Sequence, residues 1–354
     1  MAEIKVAFWN VENLFDTTAS PIAADLEFTP AQGWTEEAFD AKVANLASII
    51  TQMHGGAGPD LLGLCEVENK GVVEVLMSEI GRPDYSVAHV EAPDIRGIDC
   101  SLIYSTEVFE DPPEADIKGH LVHFRYPTRD IFQVRLTLKD NGAELNVFVN
   151  HWPSRSQGQF ESEPHRMTVG ERCGQLVDQV LKLDRADYEA VPDSVEGLAD
   201  LNARWNRNVL LMGDFNDEPF NRSMTDYLMA SKDLDKVEEV LKPGSGRQIP
   251  TMKAYLEREP VLFNLSWPFL GQPDTGTYFY GQGTSNTMNL LDQWIVSRGL
   301  FYGESQLKVR PESAQIFRAP DMTTPDKKRP KKFDRNTKKG YSDHFPIELI
   351  IDTL

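Results

Sequence analysis

The sequence predicts an α/β protein whose sheets are mixed rather than wholly parallel. Short apolar runs alternate along the chain with longer segments of helical spacing, the pattern of interleaved strands and helices. Two neighbouring runs, 131–138 and 144–151, are joined through Asp140-Asn141-Gly142, a hairpin signal that demands an antiparallel pair. The chain has 354 residues, 40% hydrophobic and 26% charged, an ordinary globular mixture with ample material for a core.

Strands are expected at Ile4–Asn10, Leu61–Glu66, Tyr85–Val90, Ser101–Tyr104, Ile131–Leu138, Glu144–His151, Val209–Gly213, Asp292–Ser297 and Phe345–Ile351. Each is a short apolar run, often bounded by Gly, Pro, Asn or Asp. Helices are expected at Glu36–Met53, Val72–Ile80, Glu163–Leu183 and Ser223–Ala230. In the third, Val169, Cys173, Leu176, Val177, Val180 and Leu181 follow helical spacing. No internal repeat and no linker interrupts the pattern, so a single domain over 1–354 is expected. Residues 184–207 and 240–275, rich in turn-formers or acids, read as surface insertions.

Acidic residues outnumber basic ones 55 to 36, a net charge of −19. Such an excess repels polyanions and argues against a protein that coats nucleic acid non-specifically. It does not argue against an enzyme that meets phosphate through a metal, because metal sites are themselves built from carboxylates. The charge is uneven: 327–339 holds eight basic residues and one acid, and without it 28 bases face 54 acids, a charge of −26. Composition allows that segment to be a solvated loop or a substrate contact; its position just ahead of Ser342-Asp343-His344 favours the contact.

Cys65, Cys100 and Cys173 show no CxxC spacing and are odd in number, which fits neither a disulfide framework nor a zinc motif. No apolar run approaches the roughly 18 residues of a membrane span. The start of the chain reads as a first strand rather than a leader. A cytoplasmic location is expected as the sequence stands, and a secreted or periplasmic one if a leader has been removed.

Five apolar strands end in polar groups suited to a metal or a phosphate: Phe8-Trp9-Asn10, Leu64-Cys65-Glu66, Val149-Asn150-His151, Met212-Gly213-Asp214-Phe215-Asn216 and Tyr341-Ser342-Asp343-His344. One such end is usually a turn or a cap. Five in one chain, offering carboxylate, amide and imidazole, point to a site. These elements, with Leu291-Asp292 and the continuation Phe345-Pro346, resemble the endonuclease/exonuclease/phosphatase superfamily, the group of DNase I, abasic-site endonucleases and inositol-polyphosphate 5-phosphatases. They occur in that family's order and span almost the whole chain. One departure is Cys65, where the family usually carries Gln, which questions a hydrogen bond beside Glu66.

The resemblance implies a DNase I-like four-layer α/β/β/α sandwich of two mixed β-sheets, with the site at one end where strand-end loops meet. It implies Mg²⁺ or Mn²⁺ on Glu66, with Asn10 helping at the metal or the phosphate and Asp343 binding metal directly or through water. One or two carboxylates suffice for Mg²⁺, which keeps several waters. Glu68, two residues beyond Glu66, is the rival ligand, and the resemblance favours Glu66. Asp214 is placed to accept a proton from the attacking water and Asn216 to donate to a phosphate oxygen. His344 is expected against the phosphate, held and charged by Asp292. Whether His344 or Asp214 takes the proton stays open. His151 is expected as the second imidazole or a leaving-group contact, with Asn150 beside it; the alternative for His151 is a core histidine.

On the substrate side, Arg155 is placed where a phosphate clamp would help, and Arg96 in Arg96-Gly97-Ile98-Asp99 is a further contact. Aromatics between Tyr255 and Tyr302 serve either core packing or base stacking. The function expected is metal-dependent hydrolysis of a phosphodiester, foremost in DNA or RNA, with inositol phosphates and other small organic phosphates as alternatives. A non-catalytic phosphate-binding module is the reading from another class. A serine triad from the adjacent Ser342, Asp343 and His344 is excluded because such side chains must converge from separate positions. No GxSxG, P-loop or HExxH motif is present.

Overall fold

The computed structural model describes every residue except 1, 19–25, 124–127, 239–247, 273–274, 283–284 and 326–327. Its first strands are β1 (Glu3–Leu14), β2 (Leu61–Val67), β3 (Tyr85–His89), β4 (Asp99–Ser105) and β5 (Ile117–His120). The middle ones are β6 (Ile131–Thr137), β7 (Glu144–His151), β8 (Asn208–Asp214), β9 (Ala230–Ser231) and β10 (Leu262–Asn264). The last are β11 (Tyr278–Gln282), β12 (Ser285–Asn289), β13 (Asp292–Val296), β14 (Leu307–Ile316) and β15 (Ile347–Thr353). Four longer helices are α1 (Glu36–Ile50), α2 (Lys70–Ile80), α3 (Gln159–Leu181) and α4 (Val195–Trp205). Thr35 and Asn69 cap α1 and α2 by accepting from Ala38 N and Val72 N, which fixes where those helices begin.

One sheet runs β14-β15-β1-β2-β4-β3 and the other β5-β6-β7-β8-β13-β10-β9, with β11 and β12 forming a separate hairpin. The pairs β1–β2, β7–β8 and β9–β10 are parallel and the others antiparallel, so both large sheets are mixed. The β6–β7 turn follows the Asp140-Asn141-Gly142 signal: Gly142 has φ 71°, and Asn141 Oδ1 accepts from Ala143 N at 3.0 Å.

Side-chain alternation sorts the core into layers. Val6, Phe8, Leu61, Leu102, Val147, Val149, Leu210, Met212 and Trp294 fill the space between the sheets. Ala7, Trp9, Leu62 and Leu64 face α1 and α2 instead. Phe148, Leu211 and Ile295 face α3. This is the α/β/β/α sandwich that the family resemblance implies.

Several local expectations differ from the structure. Ser223–Ala230, expected as a helix, is a five-residue π turn over Ser223–Tyr227 followed by β9. Residues 184–207 carry a short helix and then α4. Within 240–275, whose residues 240–247 and 273–274 lie outside the described ones, β10 joins the seven-stranded sheet beside β13. Strand β14 had no clean sequence signal, because Pro311, Glu312 and Ser313 break its alternation where its pairing register shifts.

Candidate active site

The alternation that builds the inter-sheet core also builds the site. On β1 the inward row Val6-Phe8 continues to Asn10, and on β7 Leu145-Val147-Val149 continues to His151. On β8 Leu210-Met212 continues to Asp214, and on β13 Val296-Trp294 continues to Asp292. Four apolar rows therefore end in polar groups at one end of the sandwich. Gly213 is needed beside them, because a Cβ there would run into the Asn150 backbone carbonyl on β7.

Glu66 reaches the site by breaking alternation. Leu64 faces the helices, and a regular strand would send Glu66 the same way. The register of β2 shifts between Cys65 and Val67, and Glu66 adopts φ 63°, a left-handed conformation. Its carboxylate then accepts from Asn10 Nδ2 at 3.2 Å and from Asn13 N at 3.0 Å. Asn10 Nδ2 also donates to Asp214 Oδ2 at 3.1 Å, so Asn10 presents a donor to both carboxylates while its Oδ1 accepts from Glu12 N. In this arrangement Asn10, expected to help at the metal or at the phosphate, orients both carboxylates. Cys65 lies in the inter-sheet core. Glu68, the rival ligand, accepts from Asp16 N at 2.7 Å.

His344 Nδ1 and Asp292 Oδ2 are 2.7 Å apart, and His344 Nε2 lies 3.7 Å from Asp214 Oδ2. Burial alone would lower the His344 pKa, but Asp292 and Asp214 outweigh it and hold the imidazole well above its usual value. Asp214 is lifted to about 6, chiefly by burial, with Asp292 and Glu66 adding to the rise and His344 opposing it. Asp214 Oδ1 accepts from Asn216 N at 2.9 Å, and Asn216, at φ 50°, donates through Nδ2 to Trp152 O. His151 Nε2 sits 3.6 Å from Glu66 and 3.7 Å from Asp214. Burial, then Arg129, Arg96 and His344, push His151 well below its usual pKa, so that ring is neutral where His344 is charged.

The loop bearing Asp343 and His344 is tied down from β1. Ser342 Oγ donates to Asn10 O, Trp9 Nε1 donates to His344 O, and His344 N donates to Ser342 Oγ. Beneath it the fully buried Lys42 donates to Tyr341 O.

A cleft of about 200 Å³ is lined by Glu66, His151, Asp214, Asn216, Asp343 and His344, with Arg96, Arg155, Tyr278 and Tyr280 among the residues that complete it. Asn150 is not among them. Its side chain turns to the outer face of the sheet, donating to Phe148 O and accepting from Trp152 Nε1 at 3.1 Å, so the expected substrate contact does not fit its placement. Arg155 is anchored to its own surroundings through Asn216 O, Asp217 and Asn221, and so holds Asn216 as it lines the cleft. Arg96 reaches Asn13 Oδ1 at 2.9 Å, completing a chain from Arg96 through Asn13 to Glu66.

Some contributors escaped the sequence reading. Asp217, fully buried, pairs with both Arg155 and Arg166, and Arg129 donates to Trp152 O behind His151. Asp217 directly follows Gly213-Asp214-Phe215-Asn216, which is the one signal that could have found it. Tyr278 lies against His344 with ring centroids 4.8 Å apart, a contact between distant segments that no local pattern shows. In the basic segment, of which Lys327 lies outside the described residues, Lys332 pairs with Glu12 at 2.7 Å and approaches Asp343 to 4.0 Å.

The donor set fits a hard divalent cation. Glu66 and Asp343 supply carboxylate oxygens to one cleft, and the Asp343 pKa is raised by burial and by the Glu66 charge, a repulsion that a cation relieves. Asp214, Asp292 and His344 also bring ligand-type atoms within 4.8 Å of one another. There, however, Asp292 and His344 already bond each other, so Glu66 and Asp343 are the better pair.

A family model described as Endonuclease/Exonuclease/phosphatase family matches residues 5–191, more than half of the chain. No curated protein matches it. Similar solved structures include the catalytic domain of human Nocturnin with a bound sulfate anion, at 16% identity and TM-score 0.54, covering 99% of this chain and 95% of that one. A Bacteroides thetaiotaomicron mannosyl-6-phosphatase matches at 14% identity and TM-score 0.54, covering 99% of each chain. An endonuclease/exonuclease/phosphatase family protein from the same organism gives 14% identity and TM-score 0.53 over 99% of this chain and 98% of that one. At these identities the likeness is one of fold. Among the described residues, no helix is long and apolar enough to cross a membrane.

Proposed function

Because this chain belongs to the endonuclease/exonuclease/phosphatase family, whose members hydrolyse phosphoesters, we propose that it cleaves a phosphodiester of DNA or RNA by in-line attack of water. The observation that carries the chemistry is the His344–Asp292 pair at 2.7 Å with Asp214 on the other side of the imidazole. The charged His344 donates to a non-bridging phosphate oxygen, where negative charge grows in the transition state. Asp214, held by Asn10 and Asn216, accepts the proton of the attacking water. Neutral His151 and the amide of Asn216 position the phosphate from the other side, and Arg96 and Arg155 add positive charge to the wall. Glu66 and Asp343 would hold Mg²⁺ or Mn²⁺, which would supply Lewis-acid polarisation of the phosphate.

Two features support a nucleic-acid strand as substrate. Tyr278 and Tyr280 share one face of β11 and both line the cleft, as stacking on bases requires. Exposed Lys331, Lys332, Lys338 and Lys339 lie in the segment leading to the site. A small organic phosphate is the second reading, favoured by the modest cleft and the overall charge of −19. One similar structure is named as a mannosyl-6-phosphatase. A parallel screen on single- and double-stranded DNA, RNA, inositol phosphates and sugar phosphates, with and without EDTA, decides between them. Turnover indifferent to EDTA overturns the metal reading. Failure to hydrolyse any phosphoester while still binding metal favours a phosphate-binding module.

A further inference from the structure

The ends of β3 and β4 gather a second set of ligand-type side chains, none of which lines the cleft. His89 and Ser101 are direct partners across the two strands. Glu91 follows His89 by two residues and Asp99 precedes Ser101 by two, so alternation sends all four to one face. That face is shared by Val87 and Ile103 toward the helices, whereas Ala88, Cys100 and Leu102 point into the inter-sheet core. His89 Nε2 lies 3.1 Å from Glu91 Oε1 and 3.5 Å from Asp99 Oδ2, and ligand-type atoms of all three residues fall within 4.8 Å of one another. On the other side of the ring, His89 Nδ1 is 2.7 Å from Ser101 Oγ.

We propose that His89, Glu91 and Asp99 form a binding site for a borderline divalent cation of the Zn²⁺ type, separate from the site at Glu66. One imidazole and two carboxylates make a three-ligand set that leaves a fourth tetrahedral position for water. An imidazole ligand favours Zn²⁺ over Mg²⁺ or Ca²⁺, so the chain offers two sites of different chemistry. Ser101 supplies the outer hydrogen bond that fixes ring orientation in metal-binding histidines and leaves Nε2 aimed at the carboxylates. Asp99 is 2% exposed and the His89 side chain 3%, so two ligands are already in place, while the exposed Glu91 closes the set.

The position gives the site a consequence. Asp99 Oδ1 accepts from Ala92 N at 2.9 Å across the base of the 90–98 loop, and that loop carries Arg96 into the cleft wall. A cation joining Glu91 to Asp99 staples the two ends of the loop and fixes the height at which Arg96 stands.

The competing arrangement is an imidazole proton shared between the carboxylates, and a titration separates the two. Metal-free protein is titrated with ZnCl₂ by calorimetry under saturating Mg²⁺, with bound zinc counted by elemental analysis. Wild type and Glu66→Gln are expected to bind one zinc each. Ser101→Ala is expected to weaken zinc by about ten- to a hundredfold, Glu91→Ala to weaken it further, and His89→Ala to abolish it. Glu91 is exposed, so its variant keeps the fold, and melting curves without zinc check the others. Absence of zinc on the wild type, or zinc lost in Glu66→Gln but retained in Glu91→Ala and His89→Ala, overturns the proposal.

Discussion

Asp292 and Asp214 stand directly opposite each other on the antiparallel β8–β13 ladder, and His344 is held between their carboxylates. Both groups shift upward: the two acids hold His344 charged against its burial, while burial, with Asp292 adding, lifts Asp214 to about 6. A charged imidazole and an ionised carboxylate can therefore act as acid and base together only between their two pKa values.

The pH profile follows from that arrangement. Activity requires Asp214 ionised and His344 charged, so kcat falls on the acid side near pH 6 and on the alkaline side as His344 loses its proton. Asp292→Asn removes a charge that raises both groups. Both limbs of the kcat profile should therefore move to lower pH, and kcat at neutral pH should fall by about 10²-fold or more. Limbs that stay in place in the variant show that Asp292 has only a packing role.

Chelation tests the Glu66 and Asp343 pair independently of any substrate. Mg²⁺ at a hundred times its Kd stabilises a one-site protein by about 2.7 kcal/mol, a rise visible in a melting curve. Glu66→Gln should abolish that rise and the EDTA-sensitive turnover together. A full Mg²⁺-dependent rise in Glu66→Gln would place the metal elsewhere.

Asn150 separates scaffold from chemistry. Its amide ties β7 to its own backbone and to Trp152, on the face away from the cleft. Asn150→Ala should lower stability by about 1–3 kcal/mol and leave kcat near that of the wild type. A large loss of kcat with unchanged melting would return Asn150 to the substrate-contacting set.

The placement of Asn150 shows where sequence stops. Strand-end motifs were legible because each apolar row and its polar terminus are contiguous in the chain, and alternation assigns His151 and Asn150 to opposite faces only once the core face is known. Glu66 was legible by family resemblance, yet the left-handed kink that delivers its side chain has no local composition signal. Asp217, Arg129 and Tyr278 act through partners distant in sequence, and nothing around them encodes those partners. Strand β14 was missed for a related reason: it is completed by pairing with β15, while its own sequence breaks the alternation.

Substrate class is open to a charge-based test. Lys332 is paired with Glu12, and Lys338 with Glu37, so those two lysines are partly neutralised by their own protein. Lys331 and Lys339 are exposed along the same segment and are the ones to test as contacts to a phosphate backbone. If a nucleic-acid strand crosses this segment, each contact displaces counterions, and the log–log dependence of kcat/KM on salt steepens by about 0.7–0.9 per phosphate. Lys331→Ala with Lys339→Ala should then flatten that slope by between one and two such steps on DNA or RNA. Hydrolysis of bis-p-nitrophenyl phosphate, which reaches only the cleft, should be unchanged in the same variant. An unaltered slope on every polynucleotide removes this segment as a phosphate track and leaves the small organic phosphate as the better substrate reading.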